Sequence, residues 1–200
     1  MKKLTILAIG AALSATAPAQ ADVIAGFNFT SSATSLEASS GAFTTEGGSL
    51  AAVLTDNSAG TWAFSFSPGA SVTLGFSAGI LNGPGADLVL LDAGVPADFV
   101  VTINGVTQAG TSIATGFSAN GFGITALALD LSAFGVAAGG SATSALIGMD
   151  QGTPIPSLSY AGVLNTGLSS AVPEPSTWAM MLIGLAGLGS LSARRRRSMI

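Results

Sequence analysis

The chain has 200 residues, with six basic and ten acidic side chains and neither histidine nor cysteine. All six bases stand at the two ends (Lys2, Lys3 and Arg194 to Arg197), and one acid, Glu174, lies near the C-terminus, so residues 22–172 hold nine acids and no base. This excludes phosphate neutralisation and hence nucleic-acid binding, disulfide staples, a zinc site built from Cys and His, a Ser-His-Asp triad, and any ion pair within the body.

In chain order, Met1-Lys2-Lys3 is a positive n-region, 4–13 an apolar h-region, and Ala19-Gln20-Ala21 a small-x-small cleavage site. Residues 1–21 therefore read as a signal peptide handled by the general secretion machinery, and the mature chain is expected to start at Asp22.

The body is expected to run from 22 to 164. Phe27-Asn28-Phe29-Thr30 alternates as a first strand. Residues 34–48, rich in Ser, Thr and Gly, read as a surface loop, and 50–54 as a short strand before an Asp56-Asn57-Ser58 turn. Trp62, Phe64 and Phe66 alternate with Ala63, Ser65 and Ser67. After Pro68-Gly69, Val72, Leu74 and Phe76 alternate in the same way, which predicts a hairpin with one apolar face on each strand. The three aromatics at 62, 64 and 66 are expected to face the core; the competing reading makes them a sugar-stacking platform. Residues 87–91 form a continuous apolar run, as in a strand buried on both faces. Residues 99–103 are β-branched and end in Asn104-Gly105, a strong hairpin signal, with Val106-Thr107-Gln108 beginning the return strand. Further strands are expected at 124–131, 144–149 and 158–164, and residues 165–171 read as a polar linker. Many short strands punctuated by Gly and Pro predict an all-β fold, an antiparallel β-sandwich of jelly-roll-like form.

Candidate sites in the body are sparse. Asp87, Asp92 and Asp98 lie within twelve residues. With loop carbonyls they are weak Ca²⁺ candidates, Ca²⁺ being a hard cation that takes oxygen ligands. Their spacing does not fit an EF-hand loop, and the preferred reading is that they cap turns at strand ends. No metal or other cofactor is otherwise expected. Glycoside hydrolysis needs only two carboxylates, but no basic residue is at hand to position a substrate. The chain is accordingly expected not to be an enzyme, and no catalytic residue is assigned.

The tail, 172–197, has three parts in fixed order. Val172, Pro173, Glu174 and Pro175 come first. The two prolines remove N–H donors and hold the backbone extended, the form a protease cleft accepts. Residues 177–193 follow without a charge. As a helix these 17 residues span about 25 Å, slightly less than a hydrocarbon core of about 30 Å. Arg194, Arg195, Arg196 and Arg197 end it as a basic stop, which the positive-inside rule keeps in the cytoplasm, leaving the body outside.

This tail closely resembles the PEP-CTERM sorting signal of Gram-negative bacteria. The resemblance implies that residues 172–175 are recognised by an exosortase, a membrane protease-transpeptidase. It also implies export, transient anchoring in the inner membrane through the 177–193 helix, and then release to the cell surface or extracellular space. The expected role is structural, in a biofilm or exopolysaccharide matrix; the alternative is a β-sandwich carbohydrate-binding module.

Overall fold

The computed structural model describes residues 22–149 and 154–166. The signal peptide with Ala19 and Ala21, the sorting motif 172–175, the spanning segment 177–193 and Arg194 to Arg197 all lie outside the described residues. Among those residues, no helix is long and apolar enough to cross a membrane.

Fourteen strands are described: β1 Asp22–Ile24, β2 Phe27–Phe29, β3 Ser31–Ser32, β4 Ser35–Ser40, β5 Phe43–Glu46, β6 Trp62–Ser65, β7 Ser71–Leu81, β8 Leu88–Ala93, β9 Asp98–Ile103, β10 Val106–Thr111, β11 Ile113–Ala119, β12 Phe122–Leu129, β13 Ser141–Gly148 and β14 Ser157–Val163. One helix, α1 Leu50–Thr55, and a 3-10 turn, Leu131–Phe134, complete the elements. The fold is thus all-β and antiparallel. A five-stranded sheet has the order β10-β9-β13-β7-β4, and a seven-stranded sheet the order β11-β12-β8-β14-β6-β5, with β3 also paired to β14. β1 and β2 form a separate hairpin.

One core joins the two large sheets. Val72, Leu74, Phe99, Val101 and Ile147 come to it from the five-stranded sheet, and Ala63, Leu88, Leu90, Leu158 and Val163 from the seven-stranded sheet. A second apolar cluster lies on the opposite side of β8, with Val89, Leu91, Ile124, Tyr160 and Phe29. β8 is therefore buried on both faces, as its unbroken apolar run predicts. Strand β14 serves both clusters through a register shift between Leu158 and Tyr160. The extra residue flips the phase, so Leu158 and Ala161 enter one cluster while Tyr160 enters the other.

The Asn104-Gly105 hairpin forms as expected, with φ of 50° and 78° at the two turn residues and an unbroken register between β9 and β10. Three expectations are corrected, and one strand is added. Residues 34–48 are not a loop: β4 pairs with β7 and β5 with β6, so long-range pairing overrides a Ser-rich composition. Residues 50–54 are helical, because Ser49 caps the first turn by accepting from the Ala52 amide. The segments around 62–66 and 72–76 form no hairpin: β6 lies in the seven-stranded sheet and β7 in the five-stranded one, and the Pro68-Gly69 turn carries the chain between them. Strand β11, which shows no regular alternation, is an additional element.

Candidate functional site

The three aspartates are not brought together. Asp87 precedes β8 and Asp92 stands near its end; five residues of extended chain separate them by about 16 Å. Asp98 opens β9, in the other sheet. Among the described residues no group of three carboxylate, histidine or cysteine side chains is placed to hold a metal ion.

Each aspartate instead satisfies its own neighbourhood. Asp87 is fully buried. Its Oδ1 accepts from the Gly83 amide at 2.8 Å and from Asn165 Nδ2 at 2.9 Å, and its Oδ2 from the Leu131 amide at 2.9 Å. One carboxylate thereby ties three chain segments, including the end of β14, to the start of β8. Asp98 is exposed and accepts from the Thr111 hydroxyl across the β9–β10 ladder.

Asp92 is also buried. Its Oδ1 accepts from the Ser157 amide, and its Oδ2 from Thr125 Oγ1 at 3.1 Å. Thr125 Oγ1 shares a 2.7 Å bond with the Ser112 hydroxyl, and Ser112 Oγ accepts from the Ala97 amide at 2.9 Å. Burial pushes the Asp92 carboxyl up to about 6, against the opposing pull of the Ser157 and Thr125 hydrogen bonds. The body has no cation to offset that burial. No buried side-chain polar atom among the described residues lacks a partner, so these networks read as closed structural ties.

The exposed chemistry is aromatic. In β6 the buried residues are Ala63 and Ser65, while Trp62 and Phe64 are only partly buried; Phe66, just beyond the strand, is 68% exposed. The expectation that all three face the core is corrected. The inward side of β6 meets Val53 and Leu54 of α1, which leaves room there only for small side chains. Trp62 turns outward and packs edge-on against Phe122 of β12, with ring centroids 4.9 Å apart. Phe64 and Phe66 form a second edge-on pair at 5.4 Å.

The same outer side carries the N-terminal hairpin. Phe29 of β2 lies against Tyr160 with centroids 4.9 Å apart, and Phe27 follows at 5.8 Å from Phe29. Gly162 makes this possible, because a Cβ there would overlap the Phe29 ring. Between the hairpin turn and β11 opens a cleft of about 470 Å³, walled by Ala25, Phe27, Ile113, Thr115 and Phe117. Ile113 and Phe117 on its walls remain largely exposed. Sequence reading did not find the cleft, because β11 carries no periodic signal.

No curated protein matches the chain. A solved structure described as the crystal structure of SpGH29 aligns with a TM-score of 0.32 and 16% identity over 62% of this chain. The chain spans 27% of that protein's length, and the likeness assigns neither fold nor activity. The PEP-CTERM protein-sorting motif matches residues 171–197. The C-terminal tail thus carries a PEP-CTERM sorting motif, which points to an exported protein with an exosortase-type processing partner.

Proposed function

We propose that this chain is a non-enzymatic structural protein of an extracellular, exopolysaccharide-containing matrix. The sorting motif at 171–197 carries this reading. In it, the exosortase acts at Val172, Pro173, Glu174 and Pro175 after the secretion machinery has removed residues 1–21. Arg194 to Arg197 hold the C-terminus in the cytoplasm until then. The two antiparallel sheets are taken as the layers of a jelly-roll-like β-sandwich that travels onward to the cell surface or medium. Nine acids without a base keep such a body soluble and turn it away from anionic surfaces.

The test is intact mass and fractionation of the protein from its own host, with and without Glu174→Ala. The expected wild type lacks residues 1–21 and everything beyond the sorting motif, and leaves the membrane, while the variant stays whole and membrane-bound. A wild type that keeps its C-terminus in the inner membrane would overturn the reading.

A second reading, carbohydrate binding, is favoured by one observation. Phe66, Phe117 and Phe122 are exposed, and aromatic faces stack on sugar rings. Retention of the protein on neutral polysaccharide separates this reading from a purely structural role.

A further inference from the structure

Four strands end the two sheets: β4 and β10 the five-stranded one, β5 and β11 the seven-stranded one. An edge strand presents a row of outward N–H and C=O groups. Natural sheets guard such edges with charges, proline, bulges or brevity. β4 carries Glu37 and a register shift between Leu36 and Ala38. β5 is four residues long and ends in Glu46. β11 shifts register between Ala114 and Ser118, where Gly116 takes a φ of 81°.

β10 has none of these guards, although the Leu131–Phe134 turn lies beside it, the Ala133 carbonyl accepting from Gln108 Nε2 at 2.9 Å. Its six residues, Val106–Thr111, include no charge and no proline. They pair in unbroken register with all six residues of β9, and all of them but Gly110 are exposed. No charged residue stands between Asp98 and Asp130.

The turn fixes which backbone groups face outward. A two-residue Asn104-Gly105 loop makes Ile103 and Val106 a hydrogen-bonded pair, and pairs then alternate along the ladder. Val106, Gln108 and Gly110 therefore turn their N–H and C=O groups toward β9. Thr107, Ala109 and Thr111 turn theirs to the outside.

We propose that β10 is the docking edge for β10 of a second copy of this chain, antiparallel about a two-fold axis at Ala109. The edge is its own complement. Its outward residues are spaced evenly about Ala109, so reversal sets Thr107 against the partner's Thr111 and Ala109 against the partner's Ala109, an isologous contact. Charge favours this edge over β4 and β5, which carry Glu37 and Glu46; β11 is equally uncharged but is set aside by its register shift. With nine acids and no base in the body, copies repel one another elsewhere, whereas β10 brings no carboxylate to the seam. The nearest acid, Asp98 on β9, stays at least three strand spacings from its copy, about 14 Å or more. That is beyond the screening length of about 8 Å at physiological ionic strength. The docked pair joins two five-stranded sheets into one of ten strands.

The chain has no cysteine, so Ala109→Cys introduces the sole thiol at the axis. Cα atoms of an antiparallel hydrogen-bonded pair are about 5.5 Å apart, inside the disulfide window of about 4.4–6.8 Å. Thr44→Cys, on the guarded edge β5, is the control. Full-length protein in mild detergent is oxidised gently and the disulfide dimer is counted. Ala109→Cys is expected to cross-link at least about five-fold more than Thr44→Cys. In parallel, wild type is expected to sediment as a dimer. Ala109→Pro removes only the outward amide and should halve that mass, as should Ala109→Lys, which keeps the amide but sets a charge against its own copy. Equal cross-linking at the two cysteine positions, or one mass for wild type and Ala109→Lys, would overturn the proposal.

Discussion

The two faces of the seven-stranded sheet are built differently. The inner face, with Leu88, Leu90, Leu158 and Ala63, shares a core with the five-stranded sheet, and these side chains have no exposed surface. The outer face, with Val89, Leu91 and Tyr160, is covered by a hairpin of two three-residue strands and a few aromatic rings. The same strand, β8, contributes to both. Full burial thus arises in two ways: by closure between two large sheets, and by a small local cover. The first should set global stability. The second should govern how the outer surface opens.

The largest expected effect lies on the inner face. Leu90→Ala removes buried methyl groups from a position closed on every side, and should cost about 2–5 kcal/mol. Denaturant unfolding of the purified protein reads this directly. A loss as small as that expected on the outer face would erase the distinction between the two.

The next effect sits at the end of the inner face, where Asp92 meets Thr125 and Ser157. Its folded-state carboxyl is raised to about 6 from an ordinary value of 3.8, chiefly by burial. A raised acid favours the fold while protonated. The contribution is therefore fully present below about pH 3.8 and is lost as pH rises through about 6. Asp92→Asn mimics the protonated acid: its Oδ1 accepts from the Ser157 amide and its Nδ2 donates to Thr125 Oγ1. Between pH 4 and 7 the wild type is expected to lose about 2 kcal/mol relative to this variant, read as the difference between their stability–pH curves. Parallel curves would show that Asp92 stays ionised in the fold.

How far each face was legible in the sequence follows from the range of the forces that build it. The apolar run of β8 and the Asn104-Gly105 turn are local signals, and both elements form as read. Period two in β6 is equally clear, but it defines two faces without saying which is inner. That choice is made by α1, whose Val53 and Leu54 occupy the inner side and leave room only for Ala63 and Ser65. The serines of β4 carry no strand signal, and only β7 beside them makes a strand. The three aspartates are close in sequence, yet an extended strand drives Asp87 and Asp92 to its opposite ends. The cleft beside Phe117 depends on the β1–β2 hairpin lying over β11, a contact between segments some ninety residues apart that no local pattern encodes.

The smallest predicted effect is also the most local. Gly162 lets the Phe29 ring close onto β14, and a Cβ at 162 would strike that ring and the edge of Tyr160. The backbone there is ordinary strand, so the cost of Gly162→Ala is steric, about 1–3 kcal/mol. It falls on the hairpin that covers the outer face. Amides of β1 and β2 should exchange with solvent faster, and Tyr160 should become more accessible, while amides of β9 and β13 keep their protection. If instead every amide loses protection together, the hairpin and the core unfold as one unit. The outer cover would then be part of the global fold, and the cleft it walls would have no opening motion of its own.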